Sequence, residues 1–304
     1  METAIMIEGQ NGLTWPRWQK IVRLVEELGF VGLYRSDHFT NSAAPDKESL
    51  EMWVSLTWLA ANTKRIEFGP LVTPVSFRHP ALTARMAAAV DDLSEGRLTL
   101  GLGAGWQERE HRHFGFDLLK LADRFDRFEE GLDVVTRLLR SDEPVFFDGK
   151  YFLLHEAILL PRPQRTHGPR ILIGGVGPKR TLPLVARFAD EWNCMFSTAE
   201  AFFKLNLKLD DLLIHRGRDP KSVRRSMVTG CYFGADDSIV QQKLQARGRM
   251  FEQLRQNGAV VGTPNQVKEQ LHELEEVGVQ RIMLQWLDLD DLKGLEALAK
   301  ATLL

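Results

Sequence analysis

Apolar residues in this chain follow two rhythms that take turns. Short β-rich runs alternate with longer stretches in which apolar positions return every three or four residues, the spacing of a helix face. Thr3 to Ile7 is the first such run. A helix follows, with Thr14 as its candidate cap, Trp18, Ile21, Val25 and Leu28 on one face, and Gly29 as its stop. The pattern then predicts strands at Val31–Tyr34, Ile66–Val72 and Arg97–Leu102, with helices over Leu50–Ala61, Ala81–Leu93, Trp106–Phe114 and Leu121–Leu139. Phe125, Phe128, Leu132 and Val135 share one face of the last of these. Between Ser141 and Pro169 the rhythm breaks, and Asp148-Gly149 between two aromatic runs reads as a hairpin turn. Alternation resumes with strands at Ile171–Ile173, Trp192–Phe196, Ser226–Phe233 and Arg281–Trp286. The helices between and after them are expected at Pro178–Ala189, Ala199–His215, Ser238–Gln256, Pro264–Val277 and Leu292–Leu303. Thr263 and Pro264 read as an ordinary helix start, cap and first turn.

Alternating strand and helix implies a parallel sheet. Eight strands, each followed by helix, favour a (β/α)8 TIM barrel with an insertion after the fourth βα unit, written as one domain over 1–304 with the insertion at 141–169. An open doubly wound α/β sheet is the competing arrangement, since the second strand is short. In a barrel, chemistry belongs at the carboxyl ends of the strands.

Composition narrows the classes of function. The chain has 304 residues, 44% hydrophobic and 26% charged, with a net charge of −2. That balance recruits no nucleic acid through a general field, so an anion must be bound by local clusters. Two cysteines, Cys194 and Cys231, stand far apart in apolar runs, which fits a reducing cytoplasm rather than a disulfide framework. No apolar run approaches a membrane span, and no signal peptide is expected.

The strand ends carry unusual residues. Tyr34-Arg-Ser-Asp-His-Phe39 places Asp37 and His38 after the second strand, a pair able to give or take a proton. In isolation the plainer reading is a turn, with Asp37 bonded locally and His38 packed. Gly69 to Pro80, with prolines at 70, 74 and 80, resists helix formation, and Arg78 and His79 lend it positive charge. Gly101-Leu-Gly-Ala-Gly-Trp106 offers alternate glycines that let a flat ring approach the backbone, or merely let strand pack on helix. It lacks the dinucleotide fingerprint. Glu108, Arg109 and Glu110 read as a solvated helix face, and His111 and His113 are too close to share a face, so no metal site is expected. Arg170-Ile-Leu-Ile-Gly-Gly-Val-Gly-Pro-Lys-Arg180 ends a strand in Gly174, Gly175 and Gly177 and opens a helix beside Lys179 and Arg180. Free backbone N–H groups, a helix start and two cations suit a phosphate.

Taken in order, Ser36-Asp-His38, Gly69 to Pro80, Gly101 to Trp106 and Ile173 to Lys179 running on to Asn193 resemble the luciferase-like monooxygenase superfamily. The nearer resemblance is to its branch of oxidoreductases that use the deazaflavin F420. The resemblance implies a bacterial luciferase-like barrel and an F420 cofactor, with FMN as the alternative. It implies that the ring lies over Leu71 and Val72, where relatives often carry a cis peptide, with Thr73 facing it and Gly103, Gly105 and Trp106 forming another wall. Gly174, Gly175, Gly177, Lys179 and Arg180 would hold the phosphate, and Asp37 and His38 would lie near the reactive edge. Where sugar-oxidising relatives carry a glutamate, this chain has Trp106, which leaves His38 as the proton shuttle.

Three functions follow in order: hydride transfer between F420 and a small organic substrate, oxygen-using FMN monooxygenation, and a flavin carrier without turnover. The resemblance also implies a homodimer. Phe146, Phe147, Tyr151 and Phe152 are candidates for an apolar pocket wall, a satellite core or a subunit contact.

Overall fold

The computed structural model of the chain describes residues 1–303. Its strands, in chain order, are β1 (Glu2–Ile7), β2 (Gly32–Arg35), β3 (Glu67–Pro70), β4 (Thr73–Pro74), β5 (Thr99–Gly103), β6 (Val145–Asp148), β7 (Leu153–Ala157), β8 (Arg170–Gly174), β9 (Glu191–Met195), β10 (Arg224–Phe233), β11 (Val260–Gly262) and β12 (Arg281–Gln285). The main sheet runs β3-β2-β1-β12-β10-β9-β8-β5-β4, with β11 paired to β10 outside that path. Its pairings are parallel, for example Met6 opposite Tyr34 and Leu284 opposite Thr229. β3 and β4 are one stave interrupted at Leu71 and Val72, whose peptide is cis. A parallel bridge between Phe68 and Leu98 brings β3 against the start of β5 and nearly closes the circle. The result is the expected eight-stave TIM barrel, not the open sheet.

The helices wrap this barrel: α1 (Trp15–Leu28), α2 (Met52–Asn62), α3 (Pro80–Leu93), α4 (Glu108–Phe114), α5 (Leu121–Arg140), α6 (Thr181–Phe188), α7 (Ala199–His215), α8 (Asp237–Ala246), α9 (Phe251–Gln256), α10 (Pro264–Glu276) and α11 (Leu292–Thr302). The longer helices present an apolar stripe to the sheet, whereas the seven-residue α4 buries Glu110 and His111. α1 buries Trp18, Ile21, Val22 and Val25 and ends at Gly29 in the left-handed region, φ 97°. α10 opens with Thr263 as its cap and Pro264 in its first turn, as the sequence predicts, and the Gln266 side chain accepts the Thr263 backbone N–H (2.9 Å).

The principal core lies between sheet and helices. A second, smaller cluster of Ala4, Met6, Tyr34, Leu71, Leu172, Val228 and Met283 fills the barrel interior. Below it the barrel floor is ionic. Arg281, 1% exposed, donates to Glu67 (2.7 Å), Glu2 (2.8 Å) and the Tyr34 hydroxyl (2.7 Å), and Arg224 lies within 4 Å of Glu67 and Glu191. Burying charge is tolerable here because each sign meets the other. This plug leaves the carboxyl end of the barrel as its open end.

The structure amends the sequence reading in four places. The expected helix over Ser238–Gln256 divides into α8 and α9, with Gly248 between them at φ 57°. Val260–Gly262 adds to the sheet as β11, a run too short to register as a strand by pattern. α4 starts at Glu108 and α6 at Thr181, so neither Trp106 nor the Pro178-Lys-Arg180 turn is helical. Finally, the antiparallel β6–β7 hairpin forms as predicted, but its aromatics do not reach the barrel mouth. Phe147 and Phe152 pack on the core, while Phe146 is 54% exposed beside His155.

Candidate active site

A cavity of about 550 Å³ opens at the carboxyl ends of the strands. Met6, Leu71, Val72 and Val228 form its lower part, Ala104, Phe125 and Phe128 a side wall, and Trp106, Leu121 and Phe196 its mouth. Parallel strands put all their carboxyl ends on one face, so the loops that follow them converge there regardless of their distance in sequence.

His38 lines this cavity from the loop after β2. Its Nδ1 lies 2.8 Å from Oε1 of Glu110 on α4. The other carboxylate oxygen of Glu110 accepts the Phe39 backbone N–H at 2.9 Å. Glu110 is 1% exposed. Both its oxygens are therefore committed to the His38–Phe39 segment, and it orients the ring. With Nδ1 turned to the carboxylate, Nε2 has no partner among the described residues. Burial alone pushes the His38 imidazole down, but the hydrogen bond and charge of Glu110, assisted by Glu8 and Asp37, outweigh it and raise the pKa above the ordinary histidine value. The indole of Trp106 stands edge-on to the imidazole, centroids 5.7 Å apart and planes at 83°.

The loop carrying His38 is tied down on several sides. The Ser49 hydroxyl donates to the His38 carbonyl (2.6 Å), and the Gln107 side chain donates to the Thr40 carbonyl (2.9 Å). Arg109 forks onto Asp46 at 2.6 and 2.7 Å. These bonds fix a polar loop that its own sequence would leave free.

Asp37, expected beside His38 as a proton carrier, instead faces the rim behind the cavity. It accepts from Thr73 (2.6 Å) and from Arg78 (2.5 Å), and Arg78 also meets Glu51 at 2.9 Å. Thr73, expected to face a ring, spends its hydroxyl on Asp37 and lies outside the cavity lining. The stave is interrupted at Leu71 and Val72, which both line the cavity, and Thr73 falls behind them. Nearby His111 is likewise committed, 2.7 Å from the Gln107 carbonyl and 2.8 Å from the Ser76 hydroxyl. Among the described residues no cluster of His, Cys, Asp or Glu is placed to hold a metal.

The glycines of the expected cofactor walls do border the cavity at Gly103, Gly105, Gly174 and Gly175. Gly103 has a local reason as well: a Cβ there would sit 2.6 Å from Cγ2 of Val72. Gly103→Ala is therefore expected to overpack this junction at a cost of about 1–3 kcal/mol. A urea midpoint equal to that of the parent would show that the junction is slack. At Gly175, φ is 134°, and its N–H donates to the Asn193 carbonyl (3.0 Å), which turns the chain sharply off β8. The next two amides, of Val176 and Gly177, donate to no backbone carbonyl outside regular structure among the described residues. Thr181 lines the same corner. The two cations of this motif point elsewhere. Lys179 and Arg180 border a separate outer groove with Arg187 and Arg216, and Arg180 pairs with Asp126 at 2.8 Å. Because α6 begins only at Thr181, the intervening turn carries both side chains outward.

Glu110, behind His38, and two polar residues of the lining, Glu8 and Asn193, escaped the sequence reading. Glu110 was expected on a solvated face, and it is buried because α4 docks on the His38 loop. Glu8 follows directly on β1 and accepts from the side chains of Gln10 (2.7 Å) and Gln285 (2.6 Å). Its position just past a strand end was the available signal. Asn193 on β9 donates to Ser226 (2.9 Å), while its buried Oδ1 has no partner.

The chain belongs to the luciferase-like monooxygenase family, whose sequence model matches residues 1–259. It is 33% identical over 168 residues to 4-hydroxyprotoasukamycin monooxygenase of Streptomyces nodosus subsp. asukaensis, covering 55% of this chain and 44% of that one. It is also 33% identical over 153 residues to the F420-dependent glucose-6-phosphate dehydrogenase of Kineococcus radiotolerans, covering 50% and 45%. The matched stretch thus spans under half the length of either relative. In structure it superposes on an F420-dependent secondary alcohol dehydrogenase in complex with an F420-acetone adduct, with a TM-score of 0.85 at 20% identity over 99% of this chain and 98% of that one. Both relatives carry out oxidation–reduction chemistry by name, one as a monooxygenase and one as a dehydrogenase. No helix among the described residues is long and apolar enough to cross a membrane.

Proposed function

We propose that this protein is an F420-dependent oxidoreductase that transfers hydride between the deazaflavin and a small organic substrate. The observation that carries this reading is the His38–Glu110 pair on the wall of an apolar cavity. Hydride transfer to or from a carbon–oxygen bond must be matched by a proton at the oxygen, and a histidine held by a buried carboxylate is suited to move it.

The residues fit a tricyclic cofactor with a phosphate. Val72, Gly103, Gly105 and Trp106 offer a flat-walled slot, Asn193 Oδ1 is an unpartnered acceptor in the lining, and the amides of Val176 and Gly177 with the Thr181 hydroxyl offer donors to a phosphate. When bound there, F420 would supply hydride chemistry, and the protein would supply orientation and electrostatics. His38 would hold a proton at Nε2, give it to a substrate oxygen in reduction and take it in oxidation. Glu110 would fix the tautomer. Phe125 and Phe128 would keep water from the slot.

FMN with oxygen is the second reading, favoured by the likeness to a monooxygenase over half the chain. The two separate in a fluorescence titration of the purified protein with each cofactor. Saturable F420 binding with FMN at least about tenfold weaker is the expected result, a difference of roughly 1.4 kcal/mol. The reverse order would give the site to FMN, and binding of neither would reject both.

A further inference from the structure

We infer that the substrate is an uncharged, largely apolar molecule with one oxygen function that meets His38. This rests on the reading of the cavity as the reaction site and adds the substrate's chemistry to it.

The mouth of the cavity is apolar. Trp106 (61% exposed), Leu121 (65%), Phe196 (47%), Val176 (41%) and Met195 (39%) all border the cavity. Single exposed apolar side chains are ordinary, whereas five around one opening form a patch that an apolar surface would cover. The charges of the lining point the same way. Apart from His38, the ionisable groups of the lining are Glu8 and Arg124. Arg124 is held by carbonyls, with Nε donating to Leu118 (3.0 Å), Nη1 to Gly105 (3.1 Å) and Nη2 to Leu119 (3.2 Å), which fixes three of its five N–H donors. Glu8 has amide donors on both oxygens and no cation within ion-pair distance among the described residues, so it repels a phosphate or carboxylate. The positive charge of His38 is already answered by Glu110. An anionic substrate would leave water for a largely apolar wall, face the Glu8 carboxylate, and have as counter-ion only an Arg124 already tethered to three carbonyls.

Neutral sugars fit this lining no better. Ser36, the cavity-lining hydroxyl on the His38 loop, donates to Gln10 (2.7 Å) and accepts from the Gly9 amide (2.9 Å). A polyol would bury several hydroxyls with few partners left to take them. A molecule with one oxygen and a hydrocarbon body meets none of these obstacles.

The test is a tryptophan-fluorescence titration of the full chain with 2-decanone, with decanoate, which has the same chain length and a charge, and with glucose 6-phosphate. It is done on the protein alone and on the protein saturated with whichever of F420 or FMN it binds. Binding is read without turnover, so a failure of hydride chemistry leaves this result standing. Trp106→Phe assigns the signal to the mouth. Saturable binding of 2-decanone in either state is expected, with both anions weaker by roughly tenfold or more. Leu121→Ser and Phe196→Ser, at exposed positions, should each weaken 2-decanone by about fivefold or more with an unchanged melting midpoint. Absence of ketone binding in both states would overturn the inference. So would decanoate or glucose 6-phosphate binding as tightly as the ketone, or ketone affinity indifferent to both serine variants.

Discussion

His38→Ala is expected to lower turnover by roughly 10²- to 10⁴-fold while leaving cofactor affinity within about threefold of the parent. The asymmetry follows from what His38 touches. It shares the cavity with the glycine walls but supplies none of the flat surface or backbone donors that would hold a ring and its phosphate. Its assets are a free Nε2 and a raised pKa, and both concern a proton. Removing the imidazole deletes the proton path and leaves the slot intact. The measurement pairs a stopped-flow rate of cofactor oxidation with a fluorescence dissociation constant for each protein. Equal losses in the two would make His38 a binding residue. Loss of neither would move the proton to another group, for which Glu8 is the candidate in the lining.

The pH profile carries the sign of the same argument. A raised histidine pKa keeps the imidazolium populated to higher pH than a free histidine would allow. Substrate reduction needs that form, so its rate should hold through neutral pH and fall as pH rises through the folded-state pKa. Substrate oxidation needs the neutral ring and should rise over the same interval. The ion pair contributes to stability in the same window. It is fully present below the pKa of the unfolded histidine and lost as pH rises through that of the folded one.

Much of this was legible in the sequence, for a physical reason. Strands and helices in a barrel each bury one face, so period and punctuation mark them without knowledge of their neighbours. Each of the eight staves and the β6–β7 hairpin could be read this way. What could not be read depends on docking. Glu108 and Glu110 are both acids on a seven-residue helix, and no local rule says which one turns inward. That is settled by where α4 lies against the His38 loop. Asp37 and His38 are adjacent and chemically alike as proton carriers, yet one faces Arg78 and the other the cavity. Lys179 and Arg180 belong to a motif that was recognisable as glycine-rich, but the direction of their side chains follows from a turn whose length the sequence left open.

Glu110→Gln isolates the positioning role. The substitution keeps the shape and can keep the acceptor for the Phe39 amide. With one oxygen on Phe39, the glutamine presents its NH₂ to His38 Nδ1. That nitrogen must then accept, so the ring can no longer carry protons on both nitrogens without a clash of donors. The imidazolium also loses its buried counter-charge, the main influence that opposes desolvation. Both effects lower the pKa. In the reductive direction, the fall in rate with rising pH should begin at lower pH than in the parent. At neutral pH the rate should drop by about tenfold to a hundredfold, a part of the roughly 10²- to 10⁴-fold that a positioned acid can supply. Glu110→Asp, which restores charge with a shorter reach, should recover the pH dependence in part. A structural role alone would lower stability and leave the pH profile where it was. A Gln variant with normal pH dependence and reduced melting temperature would thus remove Glu110 from the proton path and leave it as a tether for the loop.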